Sequence, residues 1–406
     1  MLRRLLPTIF AGLVLAVSAR IVDVREMGAR GDGIADDSVS IQRALDIAER
    51  PLVVVIPPGA YRIGTTLRMG AETHIRAAQE ARLFVCGRRP HRRGEFLLTN
   101  AHHDGSPDEG ISISGGIWDG NAHEGCNVRR GDIFDTNGWS GATLNFRNVR
   151  GLRLSGMTLA NSVNYNVRMC CVDGFDIRDI RFTARRQGWT QDGLHFNGFC
   201  FNGHVENILA TDAQTNDDLL AFNADDSVVR VENWDMVRGP ITNVVCRGIR
   251  AASCHSPIRL LSVDAEIRDV VVEDLEVGCR EYFVNLDGAR YCRTPLFKER
   301  DRPEGIGRIE NVTIRNCRFW VAKDRRPGDP LIPMETNVND LRLEGLVRDR
   351  ARDVAPSRPF ALIRNVAPLA VVTSNGVHSV GSHGELVISE TPPSIRFGIE
   401  AGPTIQ

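Results

Sequence analysis

Lysine is almost missing from the 406-residue chain, which contains only Lys298 and Lys323. The other basic residues are arginines, so a mechanism that requires a lysine has very few candidates. The formal net charge is −1, which gives no bulk attraction to nucleic acid or to an acidic membrane. We therefore expect neither as a partner.

Long apolar runs are missing too, apart from one at the amino terminus. That run extends from Leu5 to Val17, follows two arginines, and is too short to span a membrane. Small residues follow it, where a signal peptidase would cut. We predict that residues 1–19 are a secretory signal peptide; a twin-arginine export signal and an uncleaved anchor are the alternatives. The mature protein is then secreted or periplasmic and free of the membrane.

Metal-binding cysteine pairs are missing as well, since none of the ten cysteines forms a C-x-x-C pair. In an exported chain these cysteines could form disulfides. Several instead lie inside apolar, strand-like runs, where a cysteine can be a small buried filler; these are Cys170, Cys200, Cys246 and Cys317. Both interpretations stay open at this point. No metal or cofactor is expected.

Hairpin turns and long helical periodicity are scarce, which argues against a barrel, a sandwich or a two-helix solenoid. One amphipathic helix is predicted near the amino terminus, where apolar residues between Ile41 and Ala48 share a face after a cap at Asp37 or Ser38. The glycine-rich loop before it lacks the strand and G-x-G-x-x-G order of a phosphate site. We interpret this stretch as an N-terminal cap.

A short pattern recurs downstream: an apolar residue, any residue, a Gly, Asn or Asp, and another apolar residue. It begins at Leu154, Ile177, Val205, Ile241, Ile267 and Ile309. Short strands that end in a residue tolerant of left-handed backbone allow a coil to turn a corner and stack on the next coil. The pattern predicts an all-β protein, a right-handed parallel β-helix. Residues 110–320 should form stacked coils with the six segments aligned on neighbouring rungs.

The chain divides accordingly. We predict an N-terminal cap and first coils over residues 20–100, and the β-helix core with the active site over 101–323. Residues 324–406 are predicted to form an Arg-, Asp- and Pro-rich loop to about residue 359, followed by short strands that close the helix. A monomer is expected.

Three acidic residues mark the stretch from Trp189 to Asp226. Asp217 and Asp218 follow Asp192 by 25 and 26 residues, about one coil, so stacking should bring their carboxylates together. Neighbouring carboxylates raise one another's pKa, so such a cluster can hold one proton while its other members are ionised. Inverting cleavage of a glycosidic bond needs a protonated acid and an ionised base about 6.5 to 9.5 Å apart. Asp217 and Asp218 can share a cleft only if the chain bends between them.

The chain resembles glycoside hydrolase family 28, the polygalacturonase-like β-helix enzymes, over about residues 22–320, with a cap similar to that of the pectate-lyase superfamily. The landmarks are Gly116 to Gly120, Asn161 to Asn166, Gln191-Asp192-Gly193 and Asn216-Asp217-Asp218. The family's Asn-Thr-Asp motif resembles Thr190-Gln191-Asp192, and its Gly-Asp-Asp motif resembles the last landmark. The resemblance implies that Asp217 is the general acid and that Asp192 and Asp218 are the water-activating base.

Two family motifs are altered. Gly-His-Gly is best matched by Cys254-His255-Ser256, so the resemblance implies a catalytic His255, with hydrogen bonding within the coil as the alternative. Arg-Ile-Lys, which binds the uronate carboxylate, has no counterpart, and Arg259 and Arg290 are the nearest candidates. We therefore predict weak or no cleavage of polygalacturonate. Trp189 and Tyr165 flank the predicted cleft, where each could either stack on a sugar or pack into the core.

The sequence thus predicts a secreted glycoside hydrolase that cleaves a pectin-like or related polysaccharide with inversion. Two alternatives remain. In a calcium-dependent polysaccharide lyase the acids would bind Ca²⁺, and an arginine such as Arg259 would abstract a proton. In a glycan-binding β-helix without catalysis the same acids would be dispensable.

Overall fold

The computed structural model describes residues 18–86, 95–122, 142–185, 190–210, 217–226, 233–286, 288, 306–363, 370–374, 377–380 and 386–399. The predicted signal peptide lies almost entirely outside these residues and stays a prediction. Across the described ranges, no helix is both long and apolar enough to cross a membrane.

One helix and 29 strands make up the described chain. In chain order they are β1 (Arg20–Asp23), β2 (Asp32–Asp36), α1 (Ser38–Leu45), β3 (Leu52–Ile56), β4 (Gly59–Ile63), β5 (Leu67–Met69), β6 (Thr73–Ala77), β7 (Ala81–Val85), β8 (Leu98–Asn100), β9 (Asp108–Glu109), β10 (Ser112–Ser114), β11 (Ile117–Asp119), β12 (Leu144–Ser155), β13 (Thr158–Ala160), β14 (Val167–Thr183), β15 (Leu194–Phe196), β16 (Cys200–Ala210), β17 (Leu220–Asn223), β18 (Ile241–Cys254), β19 (Ile258–Leu261), β20 (Glu266–Cys279), β21 (Val284–Asn285), β22 (Arg308–Val321), β23 (Ile332–Met334), β24 (Asp340–Arg348), β25 (Ala361–Ile363), β26 (Ala370–Ser374), β27 (Val377–Val380), β28 (Leu386–Ile388) and β29 (Ser394–Ile399).

Strands β1 to β25 stack in parallel along a continuous coil, and most of them belong to three sheets. Sheet A contains β5, β8, the first residues of β12 and β14, and then β15, β17, β19 and β21. Sheet B contains β1, β3, β6 and β10, then the central parts of the long strands from β12 to β24. Sheet C contains β2, β4, β7, β11 and β13, then the last residues of those long strands. The coil is a right-handed parallel β-helix, as predicted.

Apolar columns fill the interior because alternate residues of each strand point inwards. In sheet A, Leu194 pairs with Leu220, which pairs with Ile258, and all three are buried. Two positions further along, Phe196 stacks on Phe222 with ring centroids 4.9 Å apart. The intervening residues of the same strands, His195, Ala221 and Arg259, face the outer side of sheet A but are buried there.

Left-handed residues stack in columns at two corners of the coil. Corner AB, between sheets A and B, is formed by Gly110, Gly151, Gly174, Asn202, Asn243, Asp269 and Asn311. Corner BC, between sheets B and C, is formed by Gly115, Gly156, Asp179, Asn207, Gly248, Asp274, Asn316 and Gly345. Each of these residues has a positive φ.

The predicted alignment of the six repeat segments is therefore only half right. The segments that begin at Leu154, Ile177 and Val205 share corner BC, whereas those that begin at Ile241, Ile267 and Ile309 share corner AB. Val205 pairs with Cys246 rather than with Ile241. The coil turns left-handed at two corners with the same local pattern, so the pattern could not tell one corner from the other.

The N-terminal helix α1 buries Ile41, Ala44 and Leu45, as its periodicity predicts, but it ends at Leu45, and Ala48, which was expected on the same face, is exposed. Asp37 occupies the cap position but makes no side-chain cap hydrogen bond. Its carboxylate instead accepts hydrogen bonds from the backbone N–H groups of Arg30 and Gly31, at 2.7 and 3.0 Å. Asp37 therefore ties the preceding loop to the start of the helix.

Cysteines in the described residues are buried or half-buried and unbridged, including Cys170, Cys200, Cys246 and Cys317. This favours the interpretation of these four residues as buried fillers.

Coils continue past residue 323, where we expected a loop. Strand β24 pairs in parallel with β22, placing Leu341 beside Val312 and Leu346 beside Cys317. The expectation of a loop over residues 324–359 is wrong for β23 and β24, because the Arg- and Asp-rich composition hides an alternating row of buried leucines. Strand β29 then pairs antiparallel with β24 and β26.

Candidate active site

The predicted acids lie at corner CA, the turns that lead from sheet C into sheet A. Asp192, Asp218 and Ser256 each stand two residues before a sheet A strand. The N–H of Gly193 donates to the carbonyl of Asp218 at 2.9 Å, and the N–H of Leu219 donates to that of Ser256 at 2.9 Å. The three positions are thus stacked on successive coils, as the spacing of one coil predicts.

His255 is the central side chain of this corner. Its Nδ1 lies 3.2 Å from Asp218 Oδ1 and 3.5 Å from Asp217 Oδ1, and its Nε2 lies 3.1 Å from Glu281 Oε2. Burial opposes the protonation of His255, but these three carboxylates outweigh it and raise the pKa to about 10. The ring is therefore an imidazolium at neutral pH that binds the acids.

Asp217 and Asp218 are adjacent but differ in proton affinity. Burial would raise the pKa of Asp218, but the hydrogen bond from His255 and the charge of Arg259, with Nη1 3.4 Å from Oδ2, hold it below its usual value. Burial and the neighbouring Asp218 raise the pKa of Asp217, despite the opposing charge of His255. Asp217 is also the more accessible side chain, 23% exposed against 0% for Asp218. The pair therefore combines a carboxyl of raised proton affinity with one of lowered proton affinity.

Asp192 adds a third carboxyl from the neighbouring coil. Burial raises its pKa well above the usual value, and the charges of Asp217 and Asp218 raise it further. Its Oδ2 lies 2.5 Å from Nδ1 of His195, and its backbone carbonyl accepts hydrogen bonds from both N–H groups of Asn166, at 2.9 Å from the backbone and 2.8 Å from the side chain. Asp192 is thus held rigidly beside the acid pair.

The spacing between the carboxyls departs in part from the expectation. Asp217 and Asp218 face the same imidazole, so the chain does bend between them. One oxygen of each carboxylate and one nitrogen of His255 all lie within 4.8 Å of one another. The expectation of 6.5 to 9.5 Å was for Asp217 with either Asp192 or Asp218, and the oxygens of Asp217 and Asp218 lie closer together than that. For Asp217 and Asp192 the separation stays a prediction.

Glu281 completes the corner and was missed from the sequence. It is 5% exposed, and its carboxylate is paired with His255 and with Arg326, whose Nε lies 2.7 Å from Oε2. Burial opposes ionisation, but these two cations lower the pKa of Glu281 to about 2. Glu281 follows His255 by 26 residues, the same interval that separates Asp192 from Asp218. That interval could have identified it.

Comparisons with known proteins place this geometry in a known architecture. A family model described as rhamnogalacturonase A/epimerase, pectate lyase-like, matches residues 21–113. No curated protein sequence gives a significant match. The family 28 exopolygalacturonase of Yersinia enterocolitica is 16% identical over 80% of this chain and 72% of its own, with a TM-score of 0.52. The endo-xylogalacturonan hydrolase from Aspergillus tubingensis is 12% identical over 80% of this chain and 92% of its own, with a TM-score of 0.53.

The chain has the pectin-lyase-like β-helix fold. The predicted resemblance is confirmed at the level of fold, which is what structural likeness at these identities establishes. A surface adhesin of Streptococcus pneumoniae is also similar, at 14% identity over 86% of this chain and 89% of its own, with a TM-score of 0.49.

Within this pectin-lyase-like β-helix, the predicted substrate-binding residues have mixed outcomes. Arg259 lies beside the acids but is 8% exposed and paired with Asp218. Tyr165 is 2% exposed, and its ring stacks on His195 with centroids 3.8 Å apart. Tyr165 therefore packs under the acids and does not offer a face to a sugar. Trp189 and Arg290 lie outside the described residues.

His195 was the second residue missed. It is the outward-facing residue of β15 and would be expected at the surface, yet it is fully buried. The cover includes Tyr165, whose hydroxyl donates to Asn233 Oδ1 at 2.9 Å. Because Asn233 is 38 residues further along the chain than His195, no local pattern indicates that this face of the strand is closed.

Proposed function

We propose that the protein is a secreted glycoside hydrolase, similar to family 28, that cleaves a polysaccharide with inversion at the anomeric carbon. The observation that carries this proposal is the difference in proton affinity between two neighbouring carboxyls at corner CA. Asp217 is accessible with a raised pKa, Asp218 is buried with a lowered pKa, and one imidazolium contacts both. Acid–base cleavage of a glycosidic bond requires that combination.

In the proposed reaction, Asp217 donates its proton to the leaving oxygen as the bond to the anomeric carbon breaks. A water attacks that carbon from the opposite face and gives up a proton to Asp192, with the ionised Asp218 beside it as the second member of the base. Asp192 can accept this proton only in its ionised form, in which its raised pKa makes it a stronger base than an ordinary aspartate. His255 and Arg259 balance the negative charge of the site through every step.

The substrate class follows from the missing carboxylate-binding motif. Arg259 is buried against Asp218 and engaged there, which supports the prediction that polygalacturonate is a poor substrate. We propose a pectin-related polysaccharide whose cleaved sugar is neutral, or carries its acid group outside the cleaved subsite. Robust cleavage of polygalacturonate would overturn this part of the proposal.

A calcium-dependent lyase is the second candidate. One oxygen of Asp217, one oxygen of Asp218 and one nitrogen of His255 lie within 4.8 Å of one another, close enough to bind one metal ion. The charges argue against it. The raised pKa of His255 favours its imidazolium form, which has no free lone pair for a cation, and Asp218 already has Arg259 as its partner. Calcium also prefers six to eight oxygen ligands.

The test is a screen of the purified protein against pectic and other plant or microbial polysaccharides. New reducing ends and new ultraviolet absorption from unsaturated sugars are read in the same samples, with calcium and with a chelator. We expect reducing ends without unsaturation, unaffected by the chelator. Unsaturated, calcium-dependent products would favour the lyase; binding without cleavage, unchanged by Asp217→Asn, would favour a glycan-binding protein.

A further inference from the structure

His195 is held beside the proposed base by one close polar contact and by ring stacking. Its Nδ1 lies 2.5 Å from Asp192 Oδ2, and its Nε2 lies 3.7 Å from Asp226 Oδ2. Its ring lies nearly parallel to that of Tyr165, with an interplanar angle of 18° and centroids 3.8 Å apart. The side chain is fully buried, so its contacts are with protein groups whose places are set by the fold.

The protonation state of His195 decides what it can donate. Burial lowers its pKa to about 4, with the charges of Arg168 and Arg259 acting in the same direction and those of Asp226 and Asp218 opposing them. The ring is therefore neutral at neutral pH and carries a single N–H. When that proton is on Nδ1, it points at the carboxylate of Asp192.

We propose that His195 is a positioning residue for Asp192, an inference that rests on the proposed function. The Nδ1–H donates to Oδ2 of the ionised carboxylate, which stabilises its charge and directs the other oxygen towards the attacking water. His195 does not touch the substrate. It acts by fixing the rotamer and the proton affinity of the base, while stacking on Tyr165 fixes the orientation of the imidazole.

The alternative is that His195 only fills space under Asp192. Two substitutions separate the two roles. His195→Phe keeps a flat ring that can stack on Tyr165 but donates no hydrogen bond. His195→Asn loses most of the stacking but places an amide N–H near the position of Nδ1. A packing role ranks the Phe variant above the Asn variant in activity, and a positioning role ranks them in the reverse order.

The expected result is a fall in kcat of about 100-fold for His195→Phe with KM little changed, and a fall of less than about 10-fold for His195→Asn. The low-pH limb of the kcat/KM profile should also move to higher pH in His195→Phe, because ionised Asp192 loses a donor, and His195→Asn should largely restore it. Equal or higher activity of the Phe variant would overturn the inference.

A measurement that needs no substrate tests the contact itself. His195→Phe is made in the wild-type protein and in Asp192→Leu, and thermal unfolding midpoints are compared. His195→Phe should lower the midpoint in the wild type, because Asp192 is left buried with one partner fewer, and should lower it much less in the Asp192→Leu background, because both partners are then apolar. Additive shifts would overturn the inference. Clear coupling with no hydrolysis of any polysaccharide would instead overturn the proposed function, and with it the positioning of a catalytic base by His195.

Discussion

Acidic and polar side chains stack on successive coils at both corner BC and corner CA, but the acidic side chains have different partners at the two corners. At corner BC the side-chain amide of Asn207 donates to Asp179 Oδ1 at 2.5 Å, and that of Asn316 donates to Asp274 Oδ1 at 3.2 Å. These pairs are solvent-exposed, and each acid has an amide from the next coil as its partner. The column of Asn and Asp residues at corner BC therefore serves to turn the chain.

At corner CA the neighbours of an acid are other acids and cations. Asp218 and Asp192 are buried on adjacent coils, and their charges are balanced by His255 and Arg259 rather than by amides. Burial makes each charge matter more, so the pKa values move apart. The comparison teaches that the proton affinity of an Asp on a β-helix corner shifts when the residue is buried among other charged groups.

The largest predicted effect contrasts one acid from each corner. Asp217→Asn should lower kcat by about 10³-fold or more, since the leaving oxygen loses its proton donor. The matched control is Asp179→Asn, which keeps a positive-φ residue next to Asn207 at corner BC. It should leave turnover unchanged and alter the free energy of unfolding by less than about 0.5 kcal/mol. Comparable activity of the two variants would abolish the distinction between the corners.

The next effect concerns the cation of corner CA. His255→Gln should cost about 3 kcal/mol of unfolding free energy near pH 6, because it leaves Asp217, Asp218 and Glu281 with less compensating charge. The pKa of His255 is raised to about 10 in the folded state, so its contribution is fully present below its unfolded pKa of about 6.5 and lost as pH rises through about 10.

Thermal unfolding of the wild type and of His255→Gln across that pH range measures this contribution. The difference between the two midpoints should shrink steadily from pH 6.5 towards pH 10. A difference that stays constant would mean that His255 is not the charged partner of the acids.

The smallest effect tests corner BC as a turning device. Asn207 has φ +55°, so Asn207→Ala should cost about 1 to 2 kcal/mol, because alanine disfavours left-handed backbone. Asn207→Gly loses the same bond to Asp179 but adopts this backbone freely, so it should cost less. Urea unfolding of both variants measures the order, and a glycine variant less stable than the alanine variant would show that the left-handed backbone does not decide which residue suits this corner.

The sequence was informative wherever the physics is local or strictly periodic. Left-handed Asn, Asp and Gly residues followed by apolar residues predicted the coils, and an interval of one coil brought Asp192 beside Asp218. It failed where one pattern serves two corners, which is why Val205 pairs with Cys246 and not with Ile241.

The sequence could not predict which side chains are buried by residues that are distant in the chain. The burial of His195 depends in part on Tyr165, which is anchored by Asn233 from a distant turn. The same limit applies to Arg259, whose pairing with Asp218 joins strands that are adjacent only in the folded coil. In both cases the sequence shows the residue itself but does not show which residue it contacts in the folded chain.

The central claim, that corner CA hydrolyses a glycosidic bond, is tested most directly by mass spectrometry of the products formed in ¹⁸O-labelled water. Hydrolysis adds the elements of one water at each cut, so we predict saturated oligosaccharides that carry one ¹⁸O atom at the new reducing end, and none from Asp217→Asn. Products lighter by one water and free of label would contradict hydrolysis in favour of elimination. Polysaccharide that is bound but uncut by the wild type would contradict catalysis at this corner altogether.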